Sequence, residues 1–206
     1  MLRIRVSVMS TELSSQAASL PLPAQFFQPK NTLNCVGPAA FRSQTARDAA
    51  CLLDLDETVV SWSCLSHEFR HNDCVHIPDF MVERDGGLYA VDILGPIPLP
   101  EWIEAAVKAK GFGYFAWSAD DLPQVRVQNA RDLLRYARYE VSLVDRLLIL
   151  TALKEHGSMR LSEVITMAPG TRAIAVIAAM ILRGQIETDL DEQLIGPDSV
   201  IRSRHY

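Results

Sequence analysis

The stretch HIPDFMVERDGGLYAVDIL, residues 76–94, decides how this chain is read. CVHIPDFMVER (74–84) has the composition of a strand bent at Pro78, DGG (85–87) of a tight turn, and LYAVDIL (88–94) of the next strand. Pro78-Asp79 then opens one strand and Asp92 lies on its neighbour. Two carboxylates on paired strands can converge on one divalent cation. Mg²⁺ suits such a pair, because it takes one or two carboxylates and keeps its waters. An Asp after a proline also serves as a simple turn cap, so the spacing alone leaves both roles open for Asp79.

Working outward, SQTARDAACLL (43–53) favours a helix with Ser43 as N-cap. DLDET turns the chain, VVSWSCLSHEF (59–69) alternates as a strand does, and RHND breaks it. Downstream, GPIP ends the third strand, PEWIEAAVKAK (100–110) is a helix with proline in its first turn, and GFGYFAWS (111–118) is a fourth strand. Helix, three-strand meander, helix, strand is an α/β layer. Trp102, Tyr114, Phe115 and Trp117 are expected to fill its sheet-to-helix core.

Past a boundary near Asp120–Pro123 the character changes. Residues 124–157 carry leucines at helical spacing and end on Gly157, a good C-cap. RLSEVITMA is a second helix stopped by Pro169-Gly170, and TRAIAVIAAMILRG a third ending on Gly184. Two short strands around a Gly-Pro-Asp turn close the chain. Three helices followed by a hairpin is the order of a winged helix. The division expected is a flexible leader at 1–33, rich in Ser, Pro, Ala and Gln, an α/β domain at 34–122 and a winged-helix-like domain at 123–206. Met9 is a second candidate start.

Composition narrows the classes. The chain has 206 residues, 49% of them hydrophobic and 22% charged, with net charge −5. That is too apolar for a disordered chain and too acidic for a non-specific coat on nucleic acid. The acidity sits in residues 1–120, with 9 basic against 14 acidic side chains; residues 121–206 are balanced at 11 and 11. The longest apolar run, Ala173–Leu182, is about half of what a bilayer needs, so no membrane partner is expected. Four cysteines without a secretion signal suggest a cytoplasmic protein with reduced thiols.

On the PDF segment and the order of elements, residues 35–204 resemble the TnsA family, the endonuclease subunit of heteromeric transposases. The resemblance implies a restriction-endonuclease-like PD-(D/E)XK sheet flanked by helices, then a small winged-helix domain. It implies metal-dependent cutting of transposon ends, with DNA, a transposase and an ATPase regulator as partners. Residue by residue, the family's two acids fall on Asp79 and Asp92, which would be catalytic and metal-binding. The motif lysine falls on Leu94 and the helix glutamate on Ala46. Asp48 is two residues further on, about 200° away around a helix. Lys108, or Lys110, is the candidate for a migrated lysine, and both also suit a solvated helix C-terminus.

Two other constellations stand out. CLSHEFRHNDCVH packs Cys64, His67, His71, Cys74 and His76 into 13 residues, chemistry that suits zinc. Along a strand, however, Cys64 and His67 point to opposite faces. Arg131, Arg135 and Arg138 share one face of a continuous helix and are the candidate DNA contacts, though acids lie near them. The helix 172–183 is too apolar to read bases and is expected to be buried against a partner or its own core. Three readings follow: a TnsA-like subunit with a decayed site that binds DNA or a partner protein; an active Mg²⁺-dependent endonuclease using Lys108; and a winged-helix regulator unrelated to transposition.

Overall fold

The expected N-cap is present: the Ser43 hydroxyl accepts from the Ala46 N–H at 3.0 Å and starts α1 (Gln44–Leu55). The computed structural model describes residues 27–167 and 172–204. Residues 1–26 of the expected leader and the Pro169-Gly170 helix stop lie outside them. After α1 come β1 (Val59–Cys64), β2 (Phe69–His71), β3 (Cys74–His76), β4 (Phe80–Arg84), β5 (Gly87–Ile93), α2 (Trp102–Ala109) and β6 (Gly113–Trp117). The main sheet runs β1-β4-β5-β6, antiparallel except for the parallel pair β5–β6. It is a mixed sheet flanked by helices. The β5–α2–β6 crossover makes the parallel pair possible, since parallel neighbours need a long connection.

The strand period sorts the two faces. Trp62, Phe80, Val82 and Val91 meet Ala46, Ala49, Ala50 and Leu53 of α1. Met81 and Ala90 face Ile103 and Val107 of α2. Trp62 is buried edge-on against Phe80, with centroids 5.6 Å apart, and its Nε1 donates to Asp54 Oδ1 at 2.8 Å. Gly113 is required by close approach, because a Cβ there would lie 2.1 Å from the Tyr89 ring.

The strand expected at 59–69 is interrupted at Leu65, whose φ of 47° turns the chain off the sheet. β2 and β3 then form a separate hairpin, closed at Asn72 with φ 51°. The bend at Pro78 likewise divides the expected second strand into β3 and β4. Phe115 departs from its expected core position; it is 43% exposed and stacks on Tyr89 at 5.3 Å.

Residues 27–33, counted with the leader by the sequence, are tied to the body. Arg47 Nε donates to the Pro29 carbonyl at 2.8 Å and Nη2 to that of Asn31 at 2.7 Å. The Asn34 N–H donates to Asp54 Oδ1 at 2.9 Å, and Val36 N–H to the Trp62 carbonyl at 2.7 Å. Asp54 is buried, and its Oδ2 has no partner among the described residues. Burial raises its pKa against the pull of the Asn34 and Trp62 bonds. The folded state therefore holds this proton more tightly than the unfolded chain, and stability falls as pH rises from the ordinary carboxylate value through the raised one. Thermal melts across that window should show the fall in the wild type and a flatter profile in Asp54→Asn, and equal slopes would sink the assignment.

The single helix expected over 124–157 is two. α3 (Gln124–Leu134) ends in a turn at residues 135–138, and α4 (Leu143–His156) starts afresh where the Ser142 hydroxyl accepts from the Asp145 N–H at 3.1 Å. α3 lies on α1 through Ala130, Leu134 and Cys51, and Val127 enters the first core. β7 (Ser158–Arg160), α5 (Leu161–Met167), α6 (Ala173–Leu182), β8 (Ile186–Glu187) and β9 (Val200–Ser203) follow, with a small sheet ordered β7-β9-β8. Ile149, Leu153, Val164, Val176, Ile177, Met180, Ile186 and Ile201 form a second core. The apolar α6 is thus buried largely against its own chain. Among the described residues no helix is long and apolar enough to cross a membrane.

Candidate functional site

Antiparallel register brings the two sequence-predicted acids together. Phe80 pairs with Val91, so one residue further out Asp79 stands opposite Asp92, on the face that α2 covers. The two side chains are buried, at 5% and 2% exposure. Isolated charges at that depth would be costly, and the chain surrounds them with donors. Asp79 Oδ2 accepts from the Ile93 N–H at 2.8 Å, and its Oδ1 takes Arg42 Nη1 at 3.3 Å. Arg42 is fixed in turn by Nη2 on the Ile77 carbonyl at 2.7 Å. Asp92 Oδ2 is bonded to His76 Nε2 at 2.8 Å and accepts from the Tyr114 hydroxyl at 3.0 Å.

Electrostatics agrees with the packing. Burial, reinforced by the neighbouring Asp92 charge, raises the Asp79 pKa; the Ile93 and Arg42 contacts oppose it. Burial also raises that of Tyr114, with the Asp92 charge acting in the same direction. Tyr114 therefore remains a hydrogen-bond donor at neutral pH.

The remaining family positions fall elsewhere. Leu94 is half-exposed and lines a shallow cleft with Pro96, Leu99, Glu101, Glu104 and Tyr114. Two glutamates on such a cleft repel a phosphodiester. Ala46 is fully buried in the first core, so a glutamate there would displace sheet packing. Asp48 accepts from Gln44 Nε2 at 2.7 Å and lies 3.6 Å from Arg131 Nε, turned toward α3. Lys108 forms an exposed pair with Glu104 at 2.6 Å, one helical turn away. Lys110 Nζ donates to the Glu68 carbonyl at 3.0 Å and sits 4.9 Å from the Phe69 ring centroid. Among the described residues, the contacts of both lysines are with groups other than the two aspartates.

The Mg²⁺ expected at this pair fits these residues poorly. The Arg42 guanidinium already occupies the Asp79 oxygen that a cation would need, and like charge opposes replacement. His76 and Tyr114 share Oδ2 of Asp92.

The zinc-like residues take separate partners. His67 lies edge-on to Phe112, His71 stacks on Trp102 at 5.6 Å, Cys74 is exposed, and His76 serves Asp92. The arginine stripe is broken, because α3 stops at Leu134: Arg135 is its C-cap and Arg138 lies in the following turn. Arg131 faces Asp48, and Arg135 faces Asp132 at 3.3 Å.

The sequence offers His76, three residues before Asp79, as a neighbour of the acid pocket or as a strand-edge histidine, and places Tyr114 in the core; it does not single out Arg42. The H-x-x-D spacing of His76 and Asp79 was a visible signal; Arg42 lies 37 residues from its partner and left none. No family model matches the chain, and no curated protein matches it at significant similarity.

Proposed function

We propose that this chain is a TnsA-like subunit of a DNA transposition or mobile-element machinery whose restriction-endonuclease-like domain has lost its catalytic centre. In this reading the domain serves DNA or partner-protein binding. The observation that carries it is the opposed pair Asp79 and Asp92, kept in register on a mixed sheet but held by Arg42, Ile93, His76 and Tyr114. Order supports it: α1, three antiparallel strands, α2 and a parallel fourth strand follow the nuclease-like sequence of elements. The winged-helix assignment rests on α4-β7-α5-α6-β8-β9 with the last strand central in its sheet. Leu94 in place of the lysine, and Lys108 held by Glu104, favour a decayed site over an active one. The pairing of Arg131 and Arg135 with acids favours a partner protein over DNA as the main ligand.

Calorimetric titration with Mg²⁺ and Mn²⁺, followed by incubation with duplex DNA, tests the reading. The wild type is expected to release no binding heat and to leave the DNA uncut. Leu94→Lys combined with Arg42→Ala, which frees the Asp79 oxygen and supplies the motif lysine at a half-exposed position, is expected to make the Asp79–Asp92 pair responsive to Mn²⁺. Metal-dependent cutting by the wild type that Asp79→Ala abolishes would show that the site is active and the decay argument wrong.

A further inference from the structure

We propose that a second copy of this chain covers the outer face of α4, forming a two-fold dimer. Leu143, Val144, Leu147 and Leu148 are 66%, 75%, 55% and 38% exposed. At 3.6 residues per turn they lie side by side on the first two turns of the helix, opposite the buried Ile149, Ala152 and Leu153. Exposed apolar residues scattered singly need no explanation, but a contiguous patch of roughly 300–500 Å² is as large as the largest on a typical monomer, and such patches are often functional. Paired with itself across a two-fold axis, this patch would bury roughly 600–1,000 Å² from these side chains alone. Its polar rim would carry the total to about 1,200 Å², where specific dimers begin.

Charge selects the second copy as occupant. The exposed stripe continues through Thr151 to Lys154, one heptad after Leu147, while Glu140 lies ahead of the helix start. Both Lys154 and Glu140 are exposed, and neither takes part in an ion pair found among the described residues. With Leu147 on the axis, an antiparallel pair of α4 helices sets Leu143 against Thr151 of the other copy. The same register brings Glu140 toward Lys154 at both ends. An isologous contact needs this self-complementarity, apolar at its centre and opposite in charge at its two ends. The dimer is independent of whether the acid pair is catalytic.

Sedimentation equilibrium of the full chain from about 1 to about 200 µM tests the proposal, because assembly follows mass action. The wild type should rise toward twice the mass of one chain. Leu147→Glu should stay monomeric with an unchanged thermal melt, and Val144→Asp provides a second such variant if the first fails to fold. Glu140→Lys and Lys154→Glu should each raise the dissociation constant roughly fivefold, the scale of an exposed ion pair, and the double reversal should restore it. A wild type monomeric throughout would overturn the proposal. So would a dimer indifferent to Leu147→Glu, or a double reversal no tighter than the single ones.

Discussion

Asp92→Ala is expected to cost the fold about 2–4 kcal/mol, while Asp92→Asn costs under about 1 kcal/mol. Asp92 Oδ2 is the shared acceptor for His76 and Tyr114 in a site 2% exposed. Alanine leaves both groups without that acceptor, and each buried orphan costs about 1–3 kcal/mol. Relief of the charge next to Asp79 offsets a part. Asparagine keeps a carbonyl oxygen for Tyr114 and removes the same charge, so its net effect is small. For a domain of this size each kcal/mol moves the midpoint about 2–4 °C, so differential scanning calorimetry separates the two variants. A working nuclease would show the opposite ranking of concerns: asparagine would leave the melt intact and abolish metal-dependent cleavage. Equal melts for alanine and asparagine would mean that the His76 and Tyr114 bonds contribute nothing, and the structural role of Asp92 would fall.

What was legible in the sequence follows from range. The Ser43 cap, the helix it starts and the turn at 85–87 depend on residues a few positions apart, and all three are present. The opposition of Asp79 and Asp92 was legible because one tight hairpin carries both. The false continuity of residues 124–157 had a local warning: Ser142-x-x-Asp145 is a helix-start signature inside a leucine pattern that suggested no break. Once the helix divides, the arginine stripe has no common face. The partners of the acids are a mixed case. His76 and Tyr114 reach Asp92 across strands, and Arg42 reaches Asp79 from the segment ahead of α1. Such contacts are set by tertiary folding, where neither periodicity nor composition carries information.

That segment is the subject of the other large effect. Arg47→Ala should destabilise the protein by about 3–5 kcal/mol, and Arg47→Met by less, about 2–3 kcal/mol. Arg47 is fully buried; it bonds the Pro29 and Asn31 carbonyls and lies 5.1 Å from the Phe41 ring centroid, and its Nη1 has no partner among the described residues. Alanine removes both the bonds and the volume, whereas methionine refills most of the volume and relieves a buried charge. The two variants therefore separate packing from anchoring. Hydrogen exchange at Val36, whose N–H is held by the Trp62 carbonyl, should accelerate in both variants, with Ile149 in the second core unchanged. Protection at Val36 that survives Arg47→Met would show that Asp54 and Trp62 hold the segment without the arginine. If protection is lost, the consequence reaches the site, because Arg42 lies on the same segment and is the positive charge held against Asp79. An arginine buried on α1 would then control how firmly that acid is closed to a cation.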